Sequence, residues 1–323
     1  MPHVFSPQSL EDLCFKNIGH NMDDLWCKDY NENFHGKGEY LYLLGPFSNL
    51  PGLLLSKLIR YLKMHGLLKI GHLQLLLDFS LVDLDLSHVS KNMGTVMNTI
   101  VNRCVHLRHL DLSGNVKLPL QGQIALFSTA RQLESINLAS TNTSDRVMSV
   151  IGAYCLQLRE LNVAQSGVTD LGLTSLSTAA LSESSGAGAS IVSLNVDGCS
   201  VSAQSAYAVL NTMPNITSLH HPETVVGVEQ LLLRRPERAP LALTELHGSS
   251  ALSHVCLQHC AALTDALLER TLDAGGLSRL RRLSLESCDE FSLDSALRLV
   301  VQCTLLEELG DPMLLNWRTG SNF

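Results

Sequence analysis

Apolar residues recur along most of this chain at the first, fourth and sixth places of a short frame. The frame reads LVDLDLS from Leu81, LRHLDLSGN from Leu107, LESINLAST from Leu133, LRELNVAQS from Leu158, IVSLNVDGC from Ile191, LSHVCLQHC from Leu252 and LRRLSLESC from Leu280. Weaker frames start at Ile216 and Leu306, and successive starts lie 25 to 28 residues apart, with two longer steps of 33 and 36. Alternation over the frame predicts a short strand with its apolar side chains facing inward. The stretch behind each frame, for example DRVMSVIGAYC, has the spacing of a return helix.

A strand and helix recurring at this period form a leucine-rich repeat, and stacked repeats make a horseshoe with a parallel sheet on its concave side and helices on its convex side. The expected fold class is therefore α/β, a leucine-rich-repeat solenoid preceded by an N-terminal α-helical module. Residues 1–75 fit no repeat and are expected to form that module; residues 76–323 form the repeats. Cys104, Cys155 and Cys303 each stand three residues before a frame, and Cys199, Cys260 and Cys288 each stand at its ninth place. Small, weakly polar thiols suit such buried turns, and this placement resembles the cysteine-containing repeat subtype of leucine-rich F-box proteins and other ubiquitin-ligase receptors. The step of 33 holds LSESSGAGAS at 181–190, expected to bulge as a flexible loop on the rim, and 220–247 lacks the frame altogether but carries a helical pattern.

Within the first 75 residues, Ser9 is placed to cap a helix, with Asp12 three residues on. Leu10, Cys14 and Ile18 then align on one face with Leu13 beside them, a stripe of the kind that docks in a partner's groove. The spacing Ser-Leu-x-x-x-Cys-x-x-x-Ile over 9–18 resembles the BC box, the helix by which many ubiquitin-ligase receptors bind elongin B/C. That resemblance implies Leu10 in the elongin C pocket, with Leu13, Cys14 and Ile18 packed beside it. LPGLLLSKL at 50–58 is similar to a cullin-2 box through Leu50, Pro51, Leu54 and Leu58. The two boxes in this order, upstream of leucine-rich repeats, resemble the Zyg-eleven and Zer-one family of substrate receptors. LLLDFSLVDLDLS at 75–87 is similar to that family's lead-in to its first repeat. The family's carboxy-terminal armadillo-like domain has no counterpart in these 323 residues, so no degron specificity carries over. LPGLLLSKLIRYL also resembles the Leu-Pro helix of F-box proteins, which bind the Skp adaptor. A third reading makes the N-terminal helices a plain cap for the solenoid, which would otherwise expose the apolar face of its first repeat.

Places 3 and 5 of the frame should line the concave groove: Asp83, His109 and Glu160 at place 3, with Asp85, Asp111, Asn137, Asn162 and Asn195 at place 5. An acidic amino-terminal end and Arg282 far along the groove point to a basic peptide as substrate; the alternative is a row of polar residues that only solvates the sheet.

Composition narrows the class further. Hydrophobic residues make up 45% of the chain but aromatics only 5%, so leucine-type packing carries the core. A net charge of −8 and the lack of a basic run argue against nucleic acid. No stretch reaches the roughly 18 apolar residues of a membrane span and no secretory leader is evident. Nine cysteines, mostly at repeat positions, favour reduced thiols and a cytoplasmic or nuclear protein. His254, Cys256, His259 and Cys260 are metal-ligand types, but strand alternation sends them to different faces. No metal, other cofactor or catalytic role is expected; the expected partners are elongin C, elongin B, cullin-2 and a protein substrate.

Overall fold

Alternation in the frame is realised as three-residue strands. The computed structural model describes residues 9–29, 32, 46–89, 92–181, 187–213, 215–221, 226–227, 230, 254–256, 265–273, 282–284, 292–304 and 308–310. Before the first strand come α1 (Leu10–Asn21), a π-turn (Met22–Cys27), α2 (Gly52–Met64) and α3 (Ile70–Leu76). The strands are β1 (Asp83–Asp85), β2 (His109–Asp111), β3 (Ser135–Asn137), β4 (Glu160–Asn162), β5 (Ser193–Asn195), β6 (Ser218–His220), β7 (His254–Cys256), β8 (Arg282–Ser284) and β9 (Glu308–Gly310). They lie in chain order in one parallel sheet, nine strands among the described residues. Between strands the chain returns through α4 (Met93–Arg103), α5 (Leu120–Thr129), α6 (Asp145–Tyr154), α7 (Asp170–Leu181), α8 (Ala203–Thr212), α9 (Asp265–Asp273) and α10 (Leu293–Gln302). From α4 to α8 each helix packs on the next. This is an α/β solenoid of leucine-rich-repeat type.

Register follows the frame: Asp83 pairs with His109, His109 with Ser135, Ser135 with Glu160 and Glu160 with Ser193. Like places therefore stack. Leu81, Leu107, Leu133, Leu158, Ile191 and Ile216 form one buried row, and Leu84, Leu110, Ile136, Leu161, Leu194 and Leu219 form a second. Side chains on either side of the second row stay partly or fully exposed, which assigns places 3 and 5 to the concave face. The weak frames at Ile216 and Leu306 supply β6 and β9, and the 36-residue step does not break the ladder, since β6 pairs directly with β7.

Two expectations need revision or fall outside the description. Of the loop expected at 181–190, Leu181 still belongs to α7 and Ala187 is buried, while 182–186 lie outside the described residues. The expected helix in 220–247 lies mostly outside the described residues.

Where the chain leaves each strand, place 8 takes a left-handed backbone: His88, Gly114, Ser140, Gln165 and Gly198 have φ between 53° and 71°. That turn is cheap for glycine and costs an L-residue about 1 kcal/mol or more. Ser140→Gly is therefore expected to stabilise the fold by about 0.5–1 kcal/mol, read as a higher denaturation midpoint. Place 9 closes the same turn with polar groups that satisfy strand-end carbonyls. Asn115 Nδ2 donates to Leu86 O (2.9 Å) and Leu112 O (2.8 Å), Thr141 Oγ1 to Leu138 O (2.7 Å), and Cys199 Sγ to Val163 O (3.1 Å). Cys104, Cys155 and Cys303 cap α4, α6 and α10 at their C-terminal ends and are buried, and burial pushes the Cys104 and Cys155 thiols up to about 12.

The open edge of β1 is sealed by α2. Leu55, Leu58, Ile59 and Leu62 recur at helical spacing and are buried, and Ser56 Oγ donates to Asp83 O (2.5 Å). Covering an edge strand in this way removes a template for foreign pairing. Gly52 makes the contact possible, since a Cβ there would lie 1.9 Å from Ser80 O. The apolar core is continuous from Phe15 in α1 through α2 and α3 into the repeats.

Candidate functional site

α1 begins as its residues predict. Ser9 Oγ accepts from Asp12 N (3.1 Å) and donates to Asp12 Oδ2 (2.7 Å), capping the helix. Its inward face is Phe15 and Gly19, continued by Met22 at the start of the π-turn, a set that the Leu-Cys-Ile spacing did not single out. Phe15 packs 5.9 Å from the Tyr61 ring of α2 (centroid to centroid). At Gly19 a Cβ would come within 3.0 Å of Leu62 Cδ2, so the two helices approach closely there. Lys57 Nζ to Glu11 Oε1 (2.8 Å) ties the outer edges of the pair. With that face committed, the opposite one is open: Leu10 is 78% exposed, Leu13 47%, and Cys14 is exposed as well. Ile18 is half-buried at the boundary.

The cullin-box residues divide. Pro51 is exposed and Leu50 and Leu54 are half-buried, but Leu58, expected as a cullin contact, is fully buried in the cap against β1. It shares the helix face of Leu54, but α2 lies against β1 at this point, so Leu58 packs inward with Leu55 and Leu62 and serves this chain's own core. Leu53, 69% exposed, occupies the outward side of α2 instead.

Beneath α1 a polar cluster joins the π-turn to α3. Asp23 accepts from Lys69 Nζ and from His72 Nε2 (2.8 Å), while His72 Nδ1 accepts from Lys69 N (3.4 Å). Lys69, then His72, hold the Asp23 carboxyl below the usual carboxylate range. Cys27 is half-buried beside them, its thiol raised by burial and by the Asp23 charge. The donor atoms of Asp23, Cys27 and His72 lie within 4.8 Å of one another, a metal-ligand set in kind. Here, however, Asp23 is neutralised by Lys69, and the His72 nitrogen that faces it carries the shared proton. The cluster reads as a clamp holding the π-turn on α3. Residues 49 apart in sequence build it, and no short motif announces it.

On the concave face, place 5 does a structural task that a reading for charge missed. Asp85, Asp111, Asn137, Asn162 and Asn195 each accept, through Oδ1, the N–H two residues on, in an Asx turn that ends the strand. Asp85 also takes the Lys63 ammonium, and burial, which would raise its carboxyl, is outweighed by the Lys63 and Ser87 bonds that lower it. Asp83 pairs with Arg60 (3.5 Å). His109 and Glu160 are exposed, and Glu160 Oε2 accepts from Ser135 Oγ (2.9 Å). His254, Cys256 and Arg282 lie on β7 and β8, while His259 and Cys260 fall outside the described residues. No described helix is long and apolar enough to cross a membrane.

No family model matches the chain, and no curated relative matches it. Among solved structures it is similar to one described as the Rad7 and Elc1 complex in yeast, at 19% identity and a TM-score of 0.45, over 94% of this chain and 87% of that one. It is also similar to the tropomodulin C-terminal domain of Caenorhabditis elegans, at 19% identity and a TM-score of 0.34, over 48% and 99%. A complex of TLR13 with ssRNA13 matches at 14% identity and a TM-score of 0.42, over 71% of this chain and 35% of that one. None of the three reaches a TM-score of 0.5.

Proposed function

We propose that this chain is the non-catalytic substrate-recognition subunit of a cullin-RING ubiquitin ligase, acting in the cytoplasm or nucleus. It docks on elongin B/C through α1 and on cullin-2 beside the start of α2, and it holds a protein substrate on the concave sheet. Its contribution is proximity: a substrate lysine held near a charged ubiquitin carrier reacts at raised effective concentration, without chemistry from the receptor. The observation that carries the reading is the division of α1, with Phe15, Gly19 and Met22 anchoring it while Leu10, Leu13 and Cys14 face solvent. An exposed apolar stripe on an anchored helix is already shaped for a groove and loses little freedom on binding. The resemblance to the Zyg-eleven and Zer-one family, and the cysteine-containing repeat subtype, point the same way.

Purified elongin B/C is expected to bind the chain, and Leu10→Ser with Cys14→Ser to weaken binding at least about 30-fold, the scale of an interface hot spot. The thermal midpoint should stay put, because both side chains are exposed. Unchanged elongin binding by the double variant would overturn the assignment of α1. Capture of the Skp adaptor and cullin-1 in place of elongin would favour the F-box reading. A plain scaffold gains support from one observation, the sealing of β1 by α2, which shows that part of the N-terminal module works as a cap. That reading expects neither adaptor.

A further inference from the structure

The acidity expected of the groove is largely spent inside the molecule. Asp83 is paired with Arg60 and Asp85 with Lys63. Asp111 takes Ser113 N on Oδ1 (2.8 Å) and Asn137 Nδ2 on Oδ2 (3.0 Å). A cationic ligand thus meets carboxylates that already hold their partners.

Two strands further along, the situation differs. Asn162 and Asn195 stand opposite each other on β4 and β5, about 4.8 Å apart as neighbouring parallel strands are. Each Oδ1 is held by an Asx-turn N–H, from Ala164 (3.0 Å) and from Asp197 (3.0 Å). That bond fixes the plane of each carboxamide and leaves its Nδ2 hydrogens directed away from the turn. Asn137 spends its own on Asp111, but neither Asn162 nor Asn195 has a second partner among the described residues. Glu160, two residues before Asn162 and exposed, uses Oε2 for Ser135 and keeps Oε1.

We infer that the β4–β5 stretch of the concave face recognises the neutral main chain of an extended polypeptide segment: its carbonyls accept from Asn162 and Asn195, and one of its N–H groups donates to Glu160. An anionic ligand is opposed by Glu160 and by the net charge of −8. A main chain offers both the acceptors and the donor that these three residues need. The inference rests on the proposed reading of the concave face as the substrate surface, and it sets hydrogen-bonding geometry in place of charge as what that surface selects.

The test is capture of a library of N-acetylated, C-amidated nonapeptides by the immobilised full chain, at low and at high salt. Enrichment of uncharged peptides is expected, with retention insensitive to salt. Asn162→Asp with Asn195→Asp preserves the Asx turns, as Asp85 and Asp111 show in this same sheet, but removes the donors; it is expected to weaken capture at least about tenfold. Enrichment of lysine- and arginine-rich peptides that high salt releases, undiminished capture by the Asp variant, or no enrichment at all would each overturn the inference. Elongin B/C binding, measured on the same preparations, separates the two proposals. If it persists while the library fails, the groove inference alone falls; if it is absent, the ligase reading falls and the groove result stands on its own.

Discussion

Leu58→Ala is expected to lower unfolding free energy by about 3 kcal/mol, while Leu10→Ala leaves it unchanged within about 0.5 kcal/mol. Both residues are leucines of the N-terminal module, and both belong to a docking motif on sequence grounds. They differ in what surrounds them. Leu58 is fully buried between α2 and the first repeat, so truncation loses transfer free energy and leaves a cavity that a helix pinned by Ser56 and Lys63 is poorly able to close. Leu10 already meets water. Solenoids can unravel from an end, so the N-terminal unit needs its own probe. Trp26 provides one, its ring 5.2 Å from that of Phe47 and packed against the core. In a Trp317→Phe background, which leaves Trp26 as the one tryptophan of the sequence, denaturation followed by its emission should show an earlier transition for Leu58→Ala alone. A large loss for Leu10→Ala would mean that the stripe of α1 serves the fold and not a partner.

Acid is expected to weaken the fold in two separate steps, the first of which belongs to His221. This residue is buried and shares a hydrogen bond with Ser205 Oγ (3.1 Å). Burial lowers its pKa from 6.5 to about 4, only partly opposed by the Asp170 charge. The unfolded chain therefore binds a proton between about pH 6.5 and 4 that the folded chain refuses. Stability is fully present above 6.5 and falls as pH drops through that window, by about 1.4 kcal/mol per unit at most and about 3 kcal/mol in all. The second step lies lower. Asp23, Asp85, Asp170 and Asp265 have folded-state values below the usual 3.8, so their contributions are lost only as pH falls beneath it. Denaturation midpoints measured from pH 7 to 4 should fall for the native chain. They should be nearly flat for His221→Gln, whatever that change does to the plateau. An equal slope in both would remove His221 as the cause.

How much of this was legible beforehand varied with the range of the interactions involved. The apolar rows at places 1 and 4 were readable because a strand alternates strictly and each repeat restates the pattern; even the weak frames at Ile216 and Leu306 supplied strands. The cap at Ser9 was readable because an N-cap bond spans three residues. The inner face of α1 was missed because Phe15, Gly19 and Met22 mean nothing until α2 is set against them, when Tyr61 and Leu62 define the fit. The burial of Leu58 was illegible for the same reason: Leu54 and Leu58 look alike on a helix, and only the position of β1 sends one fully inward. The groove looked acidic because a sequence shows charges without their partners; Arg60 and Lys63 stand about 20 residues before the aspartates they hold.

By itself, then, the order of residues determined the period, the strand faces, the stacked apolar core and the presence of a foreign element before the first repeat. These are local or repetitive properties, set by backbone geometry acting over a few residues at a time. Tertiary structure alone decided which face of α1 remains open, which leucine of α2 belongs to the core, and which polar groups of the concave sheet are left with hydrogen bonds to give. Each depends on what lies opposite in space, and segments distant in the chain are brought together only when the cap closes on the first strand.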